Sequence, residues 1–447
     1  MRPGLAGASH ARFGDFARDL ASLLGGAGVG QLVTLLATPA ITRLYAPSEI
    51  APAAFLLALL AVFAPVAALR YDKAIVLPAR DAESQALVRL ALGCALGSAL
   101  LAALLLVASA PWHAELADLR ELGGWIHVLP LGIVVFALGR IASESASRER
   151  AYAALGQSRV AAALGMAATR IGAGLAFGGT LGGYLLGAFA GEALRSARLW
   201  PSGVASALRP LAGSTFAAQR GELAAAARAY RDFPRLSMPT TFLNRFSENL
   251  PVLMLGVIYG ASAPAVGLFA LTNRSLRSPI DAASEALRRL VLQRTAALHN
   301  AGQPLGGFFV RLTLGLALLA LPPLLLVWSF GEPVFAWVFG PEWAQAGQYA
   351  AVLVPWLFTT VLISPANAVF HVARRLGLWL GLQVLATLTR LGVFAAGVLA
   401  GWGPLPLLAA FAWVCFAVNA LAIGWAFVLA SRLAPGSGSG PDLLDLA

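Results

Sequence analysis

The feature that most constrains this chain is its series of long apolar segments. They lie near 22–44, 51–75, 86–109, 123–146, 158–177, 180–200, 238–260, 264–290, 306–330, 344–370, 377–400 and 405–431. A helix rises 1.5 Å per residue, so about twenty residues cross a hydrocarbon layer ~30 Å thick. Hydrophobic residues make up 59% of the chain and charged residues only 12%. That leaves too few polar side chains to cover a soluble domain. The runs lack period-two alternation, which excludes a transmembrane barrel. The fold class expected is all-α and polytopic, with about twelve transmembrane helices that satisfy their own backbone.

Charge gives the orientation. The net charge is +11, and Lys73 is the one basic residue that is not arginine. On a soluble protein such an excess points to nucleic acid; here most arginines fall in short loops on one side. With the N-terminus inside, the inner segments hold Arg70, Lys73, Arg80, Arg89, Arg140, Arg148, Arg150, Arg374 and Arg375 among others, against Arg43 and Arg120 outside. This bias places both termini in the cytoplasm. Residues 1–21 are mixed and charged, so the first span is expected to do the targeting. The two cysteines, Cys94 and Cys415, sit within apolar spans and suggest neither a disulfide framework nor a metal site. The histidines show no metal spacing, and no cofactor is expected.

The chain reads as a duplication. Tyr45 precedes Phe55 by ten residues, as Tyr259 precedes Phe269, and AATRIG around Arg170 recurs as TLTRLG around Arg390. Similar offsets for both matches support two six-helix lobes in parallel orientation, related by a pseudo-two-fold axis. The expected boundaries are 1–200 for the N-terminal lobe, 201–236 for a cytoplasmic connector, 237–432 for the C-terminal lobe and 433–447 for a flexible tail.

The most informative charges lie on the hairpin from about Met238 to Leu298. Arg245 and Glu248 are one turn apart on its first limb. Arg274, Arg277, Asp281, Glu285 and Arg288 follow spacings of three and four on the second, which makes one helical stripe. If that helix starts at Pro264, Arg274 lies roughly 15 Å into the membrane. An arginine there costs at least ~2.5–3.5 kcal/mol, so it should face protein or water. Arg245, Arg274, Arg277 and the inner-face Arg70 are therefore candidate ligands for an anionic cargo, because a guanidinium grips phosphate with two hydrogen bonds at any relevant pH. Internal salt bridges with Glu248 or Asp281 are the competing explanation. Asp281, Glu285 and Glu248 are candidate ion-coupling acids, with Glu192 a further one. Arg170 and Arg390 fit a packing role within each lobe. GGAGVG at 25–30 has no preceding strand and reads as close helix packing.

Two stretches also resemble a known family. Pro39–Pro47 (Pro–x–x–Thr–Arg–Leu–Tyr–x–Pro) with Arg70–Ile75 (Arg–Tyr–x–x–Ala–Ile), and residues 339–370, FGPEWAQAGQYAAVLVPWLFTTVLISPANAVF, are similar to the oligosaccharide flippase, or polysaccharide biosynthesis protein, family. That family belongs to the multidrug/oligosaccharidyl-lipid/polysaccharide (MOP) exporter superfamily. Ala51 departs from the pattern, which has glycine there. The resemblance implies two six-helix lobes of the MOP type in a bacterial inner membrane. It implies a transporter and not an enzyme, moving a lipid-linked oligosaccharide on an undecaprenyl-pyrophosphate type carrier from inner to outer leaflet. Such units feed O-antigen, lipopolysaccharide or exopolysaccharide synthesis, alongside a polysaccharide polymerase and chain-length machinery. A peptidoglycan-precursor flippase and a multidrug exporter of the same superfamily are the nearest alternatives. A membrane glycan polymerase or ligase fits less well, since the outer loops are short. No nucleic-acid partner is expected.

Overall fold

The computed structural model describes residues 25–26, 28–113, 122–201, 204–208, 216–301 and 303–432. The N-terminal arginines Arg2, Arg12 and Arg18, the outer-loop Arg120, the connector's Arg209 and the 433–447 tail lie outside the described residues. Every regular element among those described is a helix. Contacts divide the chain into two compact units, 1–267 and 268–447.

The first unit contains α1 (Gly28–Thr42), α2 (Pro47–Ala67), a short α3 (Tyr71–Ala74), α4 (Asp81–His113) and α5 (Leu129–Arg148), which is entered through a 3₁₀ turn at Gly123–Val128. It continues with α6 (Tyr152–Phe177), α7 (Leu181–Leu199), α8 (Val204–Leu208), α9 (Phe216–Ala229) and α10 (Met238–Tyr259). Next, α11 (Pro264–Thr272) runs across the division between the units. The second unit holds α12 (Ser278–Asn300), α13 (Leu305–Phe339), α14 (Ala344–Val372), α15 (Leu376–Leu399) and α16 (Pro404–Arg432).

Proline starts and glycine stops punctuate these helices. α2 opens on Pro47, and the Glu49 carboxylate accepts from the Ala46 N–H at 2.7 Å, which holds the first turn closed. α7 opens on Thr180, whose hydroxyl accepts from the Gly183 N–H. α6 stops at Gly178 (φ +72°) and α15 just before Gly401 (φ +64°), a backbone region that strains any residue with a Cβ. The run α6–α7 begins at residues 152 and 181, and α15–α16 at 376 and 404. Helix boundaries thus recur at an almost constant offset, as the duplicated motifs require. Contacts and duplication part company at α10, the sequence counterpart of α1. It packs on α2 within the first unit, with Phe242 against Phe63 and Gly256 under the Phe55 ring.

Among the described residues, eight helices are long and apolar enough to cross a membrane: α2, α4, α5, α6, α13, α14, α15 and α16. The other expected spans are shorter or carry charge. The expected continuous helix over 264–290 is broken: α11 ends at Thr272, five residues Asn273–Arg277 form a π turn, and α12 restarts at Ser278. Pro279 accounts for the break, since it has no N–H for the carbonyl four residues back and its ring pushes that carbonyl away. A matching π turn at Phe233–Ser237 precedes Pro239 at the start of α10. α13 is kinked at Phe330, three residues before Pro333.

Glycines set the closest helix contacts. Along α7, Gly183, Gly187 and Gly191 recur every four residues, and a Cβ at the last two would run into backbone of α6 at Met166 and Ala162. In the second unit Gly331 of α13 meets Gly347 of α14 backbone to backbone. The second unit's core gathers Phe309, Phe370, Leu382, Ala422 and Ala426. The connector's α9 is docked on the first unit. Arg89 pairs with Glu222 at 3.4 Å, and the Tyr71 hydroxyl reaches the Ala227 carbonyl. The Tyr230 hydroxyl donates to Glu83 at 3.1 Å; burial and that carboxylate both hold its proton on, keeping it a donor.

Candidate functional site: two cationic clusters

The first cluster forms where α2 ends. Leu69 and Arg70 both adopt positive φ, 48° and 66°, which swings the chain sharply into α3. Such a conformation costs on the order of 1–2 kcal/mol for a residue with a Cβ, so the surroundings must hold it. Ion pairs to α5 do so. That helix presents Arg140, Glu144 and Arg148 at successive four-residue steps, one face of alternating sign. Opposite stands the complementary series Asp72, Lys73 and Asp81. Arg140 meets Asp72 at 3.4 Å, Lys73 pairs with Glu144, and Arg148 meets Asp81 at 2.9 Å while also donating to the Pro78 carbonyl at 2.5 Å. The Asp72 side chain is 2% exposed and is shared with Arg70 at 3.8 Å.

Arg70 also donates to the Ser237 hydroxyl at 3.4 Å, and Arg140 and Arg245 both lie within its electrostatic reach. Of the residues expected from sequence, Arg70 and Arg245 both lie in the first unit. Arg245 pairs with Glu248 at 2.9 Å one turn on, and both side chains are open, 47% and 42% exposed. A pair that open contributes little to stability, which leaves both groups accessible.

The second cluster lies in the second unit. Arg274 is half-buried in the π turn. Arg277 closes that turn; its Nε sits 3.3 Å from Asp281, and its guanidinium lies 5.1 Å over the Trp356 ring. Asp281 is half-open, at 53%. Trp356 is held edge-on by Phe411 at 5.3 Å, and Phe411 in turn touches Phe394. Arg390 on α15 is half-buried, and Cys415 on α16 is buried. Nearby, Asn419 donates to the Thr359 hydroxyl at 3.0 Å. The side chains of Glu285, Arg288 and Arg289 lie outside the described residues.

The copy of this arginine in the first unit is built differently. Arg170 is 1% exposed. Its guanidinium lies 3.6 Å over the Tyr184 ring, and its Nε donates to the Tyr184 carbonyl at 3.1 Å. Tyr45 donates to the Arg170 carbonyl at 2.9 Å and packs edge-on against Tyr184. The packing role expected for Arg170 describes this cage. Glu192 is buried against Gly139 and paired with Arg195 at 2.7 Å.

Sequence reasoning missed Arg140 and Trp356. For Arg140 a signal existed, the sign-alternating steps of four on α5 facing the opposite alternation after α2. For Trp356 none did, because it is one apolar residue in an apolar helix.

Solved structures with a similar fold define the class. An inward-facing multidrug resistance MATE family transporter of the MOP superfamily is 15% identical, with a TM-score of 0.70, covering 90% of this chain and 95% of that one. The lipid II flippase MurJ in an inward closed conformation is 11% identical, with a TM-score of 0.65 over 92% and 89%. A MATE in complex with MaL6 is 13% identical, with a TM-score of 0.55 over 93% and 96%. The fold is thus that of MOP-superfamily transporters. Comparison with curated proteins finds no match. The family model described as polysaccharide biosynthesis protein matches residues 40–348, and the chain belongs to that family.

Proposed function

We propose that this protein is a flippase for a polyprenyl-pyrophosphate-linked oligosaccharide, the repeat unit of an O-antigen or exopolysaccharide. It moves its cargo from the inner to the outer leaflet of the bacterial cytoplasmic membrane by alternating access, with both termini cytoplasmic. The observation that carries this reading is a set of arginines held on helices of a membrane transporter fold by a chain of the polysaccharide biosynthesis family. A sugar-pyrophosphate head cannot enter hydrocarbon unaided and needs a polar, cationic path. Arg70 and Arg245 in the first unit, and Arg274 and Arg277 in the second, supply guanidinium forks for it. The polyprenyl tail stays in lipid. The half-open acids Glu248 and Asp281, with Glu285, are the candidates for ion coupling.

The test is glycan surface display, normalised to membrane abundance, in cells whose only copy is the variant. Arg245→Ala and Arg274→Ala should each lower display at normal abundance, and lysine should retain part of it. Normal display in both would remove the cationic path, and efflux of an organic cation by the same cells would favour a multidrug exporter.

A further inference from the structure

The helices α5 and α14 end in the same way, one in each unit. Two residues past each helix the backbone turns to positive φ, at Arg150 (56°) and at Arg374 (54°). The Arg150 N–H donates to the Ser147 carbonyl and the Ala151 N–H to the Ala146 carbonyl. Arg374 and Arg375 repeat this pattern onto His371 and Phe370, and the next helix begins two residues after each arginine, at Tyr152 and Leu376. In this helix-ending motif the left-handed position ordinarily belongs to glycine, because a Cβ is strained there. The chain follows that rule on its other side. Among the described residues, every glycine with positive φ falls in a turn that the alternation of spans assigns to the outer side, whereas Leu69, Arg70, Arg150 and Arg374 all fall in inner turns.

Leu69 and Arg70 are held by the ion pairs around Asp72. Arg150 and Arg374 are exposed, and among the described residues neither guanidinium has a hydrogen bond or an ion pair. The helix dipole does not require them, since Arg148 and His371 already stand in the last turns, and Glu149 at the end of α5 has the wrong sign for it. Orientation does not require them either, because a basic residue one place away would give the same charge bias without the strain. Both copies of the fold therefore keep an open guanidinium at the point where a helix ends on the inner side. The phosphates of the cytoplasmic leaflet complement it, since that surface is negative and a planar fork grips phosphate oxygens.

We propose that Arg150 and Arg374 are anchor points for anionic phospholipid headgroups, one on the inner face of each unit. This holds whatever the cargo is.

The experiment melts the full-length protein, purified in a neutral detergent, while phosphatidylglycerol or phosphatidylcholine is titrated in. Phosphatidylglycerol is expected to raise the wild-type midpoint more than phosphatidylcholine does. Arg150→Gly and Arg374→Gly should each weaken the apparent affinity for phosphatidylglycerol about fivefold and leave the phosphatidylcholine response unchanged. Without lipid both should melt at or slightly above wild type, since glycine relieves the strain. Arg150→Lys and Arg374→Lys keep charge and strain, and should keep most of the response. A glycine variant that melts well below wild type without lipid would make these arginines structural and overturn the proposal. An undiminished phosphatidylglycerol response in the double glycine variant would overturn it too. So would stabilisation by inorganic phosphate or farnesyl diphosphate without any by phosphatidylglycerol, which would assign the arginines to a free anion or to the cargo.

Discussion

Arg170 and Arg390 occupy the same motif in two copies, and the chain treats them in opposite ways. Around Arg170, α6 and α7 approach on a ladder of glycines, so that Tyr184 and Tyr45 close a cage about the guanidinium. Arg390, by contrast, is only half-buried. The difference teaches that a cation within a membrane fold is structural when its charge is fully used by fixed groups.

Three substitutions sharpen the comparison, taken from the largest expected effect. Asp72→Asn calibrates the cost of opening a closed charge cluster. It leaves Arg70 and Arg140 facing each other at a buried site and should cost about 3–5 kcal/mol, seen as lost membrane abundance and a lowered melting midpoint. Arg170→Met comes next at roughly 3 kcal/mol, because it removes a desolvated cation–π contact and the Arg170 hydrogen bond to the Tyr184 carbonyl. Arg390→Met, at a half-buried site, should cost less than about 1 kcal/mol in the same assay. Equal melting losses at 170 and 390 would break the contrast. The smallest effect concerns the connector. Tyr230→Phe deletes one hydrogen bond to Glu83 and should cost about 1 kcal/mol of resistance to protease cleavage around α9, leaving the rest of the chain unmoved.

Much of the fold was legible before any coordinates. The apolar runs define the helices, and prolines and glycines at their ends mark most boundaries because those residues act through the local backbone. The break at Asn273–Arg277 was not legible from hydropathy, which registers Pro279 as mildly apolar and not as a missing donor. The charged stripe on the 238–298 hairpin was visible as spacing, yet its limbs divide: Arg245 lies in the first unit beside Glu248, while Arg277 joins Asp281 and Trp356 in the second. Nor could spacing tell Arg170 from Arg390. Their local sequences match, and the residue that encloses Arg170, Tyr184, comes from the following helix.

Topology offers an independent check. Single cysteines in residues 216–236 and at 371–376, in a background lacking Cys94 and Cys415, should resist an impermeant thiol reagent in intact cells. Labelling there from outside would reverse the orientation on which the inner-to-outer direction depends.

The most direct measurement is made with purified protein in liposomes. A polyprenyl-diphosphate-linked oligosaccharide carrying a fluorescent sugar is placed in one leaflet, and its arrival in the other is read by an impermeant quencher. The account predicts transfer well above protein-free vesicles, slowed about tenfold by Arg274→Gln or Arg277→Gln at equal reconstitution. Transfer no faster than in protein-free vesicles, from protein that melts cooperatively, would contradict it.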